Sequence, residues 1–241
     1  MKSLACVLVC AACGADDGAA FPVEPTTSGS AIASGSSGAA GGGGSTDGTT
    51  TLLRGRACVL DDIFSAACAN AGAGGLTVTL GDQTTTTADN GTFTISGGFG
   101  IGQSFLISGA DVVTTSQALT PSLRIPVLRQ AAFDRILAEN GIATSPGTGS
   151  IFATVVRGGV PVQGVTVQST PSPAFGPFYD GTQPPPWTLN ATGARGIVFL
   201  PGVLATGPAD LSFRSGTGGE AIVGGVQVIN GGITMVETIL P

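Results

Sequence analysis

Two stretches of this 241-residue chain repeat one pattern, and that pattern restricts the fold more than any other feature. Residues 75–96 read GLTVTLGDQTTTTADNGTFTIS; residues 159–204 open with GVPVQGVTVQS and, after a long loop, close with WTLNATGARGIVFLPGVL. In each, a short alternating strand (Leu76, Val78, Leu80; Val165, Val167) is followed by a threonine-containing strand and a tight glycine turn. The turn opens into a strand whose large residues point inward, Phe93 and Ile95 in one copy, Val198 and Leu200 in the other. A period of two lays one apolar face on a core and leaves the other in water, which is the signature of half-buried β-strands. Written twice, it predicts an all-β chain of two β-sandwiches.

Composition agrees and removes several functions. Charged residues make up 10% and glycines number 40, which favours turn-rich β structure over helices with Glu, Lys and Leu at helical spacing. The net charge is −6, the single lysine is Lys2, and there is no histidine. An acidic chain without basic clusters cannot neutralise phosphates, so no nucleic-acid partner is expected. Without histidine the commonest general base and imidazole ligand are missing. No serine elbow, phosphate loop or dinucleotide fingerprint stands in a suitable context, and Glu139, Glu220 and Glu237 fall on different elements. The expectation is a protein without catalytic residues, metal or cofactor.

The N-terminus carries Met1-Lys2, a short apolar run over residues 4–9, and Ala11-Ala12-Cys13-Gly14. That run is too short for a membrane-spanning helix, which needs about 20 apolar residues, but suits a signal peptide. The first fourteen residues resemble a bacterial lipoprotein signal, although Cys10 stands where that family has leucine. The resemblance implies that residues 1–12 are removed and that Cys13 is acylated. It also implies an exported chain held at the bacterial cell envelope, with the outer membrane as first choice, whose lipid anchor makes the membrane a partner. An ordinary cleaved secretory signal is the alternative. Residues 13–50 are then the lipidated cysteine and a Gly/Ser/Ala/Thr linker that cannot offset its ordering entropy by burial. Its roughly thirty-seven residues would reach about 30–36 Å.

The first sandwich is assigned to residues 51–128. Its first strand alternates Leu53, Gly55, Ala57 and Val59 with Arg54, Arg56 and Cys58. One capped helical turn is expected over residues 61–68. Strands follow over residues 76–80, 83–88, 92–96, 104–108, 112–115 and 123–128, with Asp89-Asn90-Gly91 as a hairpin turn and Pro126 marking an edge or bulge. With three cysteines in the leader, Cys58 and Cys68 remain, and an even remainder in an exported chain reads as a disulfide. No ligand is left to complete a metal site with them. Asp61 and Asp62 lack the spacing of a calcium loop and read as a solvated acidic tip.

Residues 129–147 form a connector containing the one convincing helix, 130–140, with Phe133, Ile136 and Leu137 on one face and Asn140-Gly141 as its stop. The second sandwich, residues 148–241, is expected to have strands over 151–156, 162–168, 188–191, 197–200, 210–214, 221–229 and 233–240. Asn230-Gly231-Gly232 would close a final hairpin. A proline-rich insertion, residues 171–187, carries Phe175, Phe178, the only tyrosine, Tyr179, and the only tryptophan, Trp187.

The run Gly159-Val160-Pro161-Val162-Gln163-Gly164-Val165-Thr166-Val167, then residues 192–196 and Leu200-Pro201-Gly202, resembles the carboxypeptidase regulatory-like (transthyretin-like) β-sandwich family. Residues 74–95 match it more loosely. The motif consists of turn and strand residues, so it implies fold, an Ig-like or transthyretin-like sandwich, and not activity. Related adhesin modules join a lysine to an asparagine, which a chain without lysine beyond Lys2 cannot do.

Three functions are open to such a chain. Catalysis is the weakest. A non-catalytic surface or envelope lipoprotein with sandwiches as structural or docking modules demands nothing the sequence lacks. A carbohydrate- or protein-binding module would use Phe175, Phe178, Tyr179 and Trp187 as flat faces on a stiff loop; the same rings could instead fold back as a plug. Replacing Trp187 by alanine separates the two, because a buried ring costs several kcal/mol, about 3–5.

Overall fold

The computed structural model describes residues 51–65, 67–69, 71–100, 102–120, 123–181 and 186–241. The expected signal peptide, Cys13 and the linker lie outside the described residues. The chain is mostly β, as expected, with one helix among the described residues. The strands are β1 (Thr51–Leu60), β2 (Thr77–Leu80), β3 (Gln83–Thr86), β4 (Thr92–Gly97), β5 (Ser104–Gly109), β6 (Val112–Ala118) and β7 (Arg124–Leu128). After helix α1 (Gln130–Glu139) come β8 (Thr148–Arg157), β9 (Val160–Pro161), β10 (Val165–Thr170), β11 (Phe178–Tyr179), β12 (Ile197–Leu204), β13 (Ala209–Ser215), β14 (Glu220–Val226) and β15 (Ile233–Ile239).

Two three-stranded sheets, β4-β1-β7 and β10-β13-β14, pack against a nine-stranded sheet of order β11-β12-β8-β15-β6-β5-β2-β3, with β9 paired to β8. The repeated pattern of the sequence is a repeat in space. β1 pairs β4 antiparallel and β7 parallel; β8 pairs β12 antiparallel and β15 parallel. β2-β5-β6 recurs as β10-β13-β14.

Identical buried clasps mark the equivalence. Thr87 accepts from the Leu76 N–H through Oγ1 (2.9 Å) and donates to the Ala73 carbonyl (2.6 Å), while its backbone bonds Gly75 and Leu76. Thr192 does the same to Val165 (3.0 Å), Val162 (2.7 Å) and Gly164. Four residues on, Gly91 and Gly196 have φ of 83° and 65°, and each carbonyl accepts from a strand N–H, of Ala57 and Val155. A Cβ at either position would press on that strand's carbonyl oxygen, so both the turn and the close approach require glycine. Phe93 and Ile95 are buried in one module, Val198 and Leu200 in the other, as the alternation predicts.

The modules are fused through β15. Its Ile233, Thr234 and Met235 pair in parallel with Thr115, Ser116 and Gln117 of β6, while its other edge pairs with β8. Residues opposite one another in a ladder share a face. Phe105, Gln117, Met235, Phe152 and Phe199 therefore lie along one face of the long sheet. Over β2-β5-β6 that face is covered by β4-β1-β7, enclosing Val78, Leu80, Phe93, Phe105, Ile107 and Ile125. Over β8 and β12 the sheet β10-β13-β14 covers the opposite face, enclosing Ile151, Val155, Val198, Leu200, Leu211 and Phe213. The Phe152 and Phe199 side there is roofed by α1 and neighbouring loops. β8 and β12 are thus buried on both faces, the reason their sequences are nearly continuous apolar runs.

Several expected elements differ. The turn at Asp89-Asn90-Gly91 forms, with Gly91 N–H bonded to Ala88, but β3 and β4 belong to different sheets, so it is a sandwich corner and not a hairpin. Asn230-Gly231-Gly232 likewise links β14 to β15 across sheets, closing no hairpin. In both a backbone bond closes the turn, Gly91 N–H on Ala88 and Gly232 N–H on Ile229; what separates the strands is the core each must cover. Of the capped turn expected over residues 61–68, a single hydrogen-bonded turn forms: the Ser65 N–H bonds the Asp62 carbonyl (3.0 Å) and the Asp62 carboxylate accepts the Phe64 N–H (3.0 Å), with no helix following among the described residues. Of the expected strand 188–191 only a bridge between Tyr179 and Leu189 remains. Pro126 lies on β7, an edge strand, as expected. Helix α1 buries Phe133, Ile136 and Leu137, and ends with Gly141 N–H on Ala138 and Ile142 N–H on Leu137 (2.9 Å), the paired C-terminal bonds that the Asn140-Gly141 signal implied.

Candidate functional site

The structure brings chemistry together in one place, the side of β8 and β12 beneath α1. Phe152 and Phe199 stack with ring centroids 4.3 Å apart and planes 8° from parallel. Trp187, from the end of the proline-rich insertion, tilts over both at 6.1 and 5.6 Å and is 7% exposed. Phe178 lies 6.1 Å from Phe199, and Phe133 of α1 meets the same ring edge-on at 6.4 Å. From the first module Phe64 reaches across to Trp187 (4.8 Å), and the Arg195 guanidinium lies 5.0 Å over the Phe64 ring. Cys58, bonded to Cys68 (S–S 2.04 Å) as expected, borders this cluster, and Phe175 packs on its margin.

The four aromatic residues singled out in the insertion do not form one platform. Trp187 is buried, with Nε1 lacking a hydrogen-bond partner. Phe175 and Phe178 are half-buried beside it. Tyr179, 5% exposed, faces the core beneath β10-β13-β14. Its Oη accepts the Val167 N–H (3.0 Å), capping the free edge of β10 where the first module has β3. Burial raises the Tyr179 hydroxyl above its ordinary pKa of 10.0, against a smaller lowering from that hydrogen bond.

Sequence reading missed Asp180. Its carboxylate is fully buried and accepts three backbone N–H groups, from Gly193 (2.8 Å), Arg195 (2.8 Å) and Ile197 (2.9 Å). It thereby sets the loop that carries Thr192 and Arg195. Arg195 also donates to the Gly181 carbonyl (3.2 Å). An aspartate after two aromatics was the one signal, and nothing local says which N–H groups it meets.

Glu139, Glu220 and Glu237 lie on different elements, and Asp61 in the loop after β1. Asp61 pairs with Arg129 (2.5 Å), Glu220 with Arg214 (3.3 Å), and Glu139 is exposed on α1. Glu237 lines a crevice of about 110 Å³ with Gln117, Arg124, Pro126, Phe152 and Met235. Gln117 Oε1 is buried there without a partner. That space admits a few waters, well short of the several hundred Å³ of an ordinary ligand pocket. Among the described residues no group of three or more carboxylates and cysteines is placed to hold a metal ion, and no helix is long and apolar enough to cross a membrane. No family model matches the chain, and no curated protein matches it.

Proposed function

We propose that this chain is a non-catalytic envelope lipoprotein, anchored through acylated Cys13, whose fused sandwiches act as a structural or docking body. The observation that carries this reading is how its buried polar groups are used. Thr87, Thr192, Asp180 and Tyr179 each bind backbone rather than converge on a cavity. Active sites instead collect such groups, unspent, around a pocket. The turn-and-strand motif of the second module supports a kinship with carboxypeptidase regulatory-like domains, and the leader supports export and lipidation. Labelled fatty acid should enter the protein, and Cys13→Ala should abolish both label and membrane fractionation. Membrane association that persists without label rejects the anchor.

A second reading is favoured by the unpartnered Trp187 Nε1 beside half-buried Phe175 and Phe178. There the insertion binds a glycan or protein through its rings. It requires a saturable change in Trp187 emission with a ligand, lost in Phe175→Ala and Phe178→Ala.

A further inference from the structure

The segment carrying Phe64 belongs to the first module, but its ring covers the aromatic cluster of the second. One end is held at helix α1: Arg129, just before the helix, pairs with the Asp61 carboxylate (2.5 Å), and Arg135 Nη2 of the helix donates to the Asp61 carbonyl (3.4 Å). The other end is held by the Cys58–Cys68 bond, with one backbone bond from Ala69 to Val59 (2.7 Å) beside it. Between these ends the described residues carry one turn, Ser65 N–H on the Asp62 carbonyl (3.0 Å), and the buried Ile63 side chain, but no strand or helix. A stretch with so little backbone structure depends on its end constraints for position.

We propose that the Cys58–Cys68 bond is a redox-operated hold on this cover: reduced, the segment releases Phe64 and opens the Trp187 cluster to solvent or a partner. The proposal is independent of whether the chain is lipidated or binds through its insertion. The two sulfurs differ in a way that sets the direction of exchange. Cys58 is 2% exposed, whereas Cys68 is only half-buried, the more exposed of the two. Arg124 Nη2 donates to Cys58 Sγ at 3.4 Å. A thiolate of an external dithiol reductant therefore attacks Cys68 Sγ. The S–S bond breaks and Cys58 departs with the electron pair as a thiolate beside the Arg124 guanidinium, which favours the charged form. The reductant's second thiol loses its proton and attacks its own sulfur in the mixed disulfide. Cys68 leaves as a thiolate and is protonated, and the reductant ends as a disulfide. Two electrons pass from the dithiol to the two cysteines.

Trp187 is the only tryptophan, so its fluorescence reports this site alone. The full chain is reduced with dithiothreitol, and peptide mapping after alkylation confirms that Cys58 and Cys68 are free. The expected result is a red shift of Trp187 emission and a several-fold rise in iodide quenching. The far-UV strand signal should be kept, and both changes should reverse on reoxidation. In oxidised protein Phe64→Ala should give the same red shift, and reduction of that variant should add nothing further. Unchanged emission in the fully reduced chain overturns the proposal. So does loss of the strand signal together with the emission change, which would make the bond a simple staple of the fold, and so does a Phe64→Ala variant that emits like the parent.

Discussion

The Asp180 carboxyl lies in a place water does not reach, and three backbone N–H groups take the place of its hydration. Removing one partner of a buried charged hydrogen-bond set leaves the others unsatisfied, each costing about 1–3 kcal/mol. Asp180→Ala should therefore lower stability by about 3–5 kcal/mol, read from denaturant midpoints at unchanged m-value. A loss below 1 kcal/mol would mean that the loop re-satisfies its N–H groups in water. Tyr179 makes a pH prediction. Its folded pKa is raised, so in alkali the unfolded chain ionises first and the folded state retains the proton. Stability should be constant through neutrality and fall as pH rises above about 10, the unfolded value. As the only tyrosine, it can be followed directly by phenolate absorbance, and Tyr179→Phe should remove that alkaline decline. The same variant leaves the Val167 N–H uncapped at the edge of β10. A phenolate signal titrating below 10 in the folded protein would contradict the assignment.

At the scale of elements, the helix and most strands were legible because their signals are local. Phe133, Ile136 and Leu137 at helical spacing are the buried residues of α1, and the Thr-x-x-x-Gly turns recur with matching hydrogen bonds. The pairing of β14 and β15 was misread because Asn-Gly-Gly describes a turn and not the sheet to which its flanks belong. Gly149 makes this testable. It lies at the start of β8, where a Cβ would overlap the Ile229 carbonyl in the connection from β14 to β15. Gly149→Ala should cost about 1–3 kcal/mol, the range for overpacking, whereas a true β14-β15 hairpin would leave that position free. In α1, Leu137→Ala should cost about 2–5 kcal/mol by opening a cavity beneath the roof of the aromatic cluster.

For the whole molecule, β15 decides behaviour. It pairs with β8 on one side and β6 on the other, so it joins the two modules' sheets into one. The apolar cluster under α1 draws Leu60 and Leu128 from the first module and Phe152, Phe199 and Ile233 from the second. One cooperative unfolding transition is expected, with calorimetric and van't Hoff enthalpies equal, despite the two sandwich repeats. Two resolved heat-absorption peaks would show that the modules unfold separately. Deleting residues 231–241 should remove cooperativity from both modules, not only from the second.

The class of structure and its repeat are legible in the residues alone, because alternation, turn glycines and a helical apolar triplet act within a few residues of one another. Cys58–Cys68 was readable too, since the other three cysteines fall within the first thirteen residues and the sequence holds no histidine to make a metal site with them. Only the tertiary structure decided that β15 would bridge the modules, that Asp180 would hold a loop through N–H groups 13 to 17 residues away, and that Phe64 would cover Trp187. Those choices depend on which edges and faces remain uncovered once both sandwiches have formed, a property of the assembled core that no local window of residues contains.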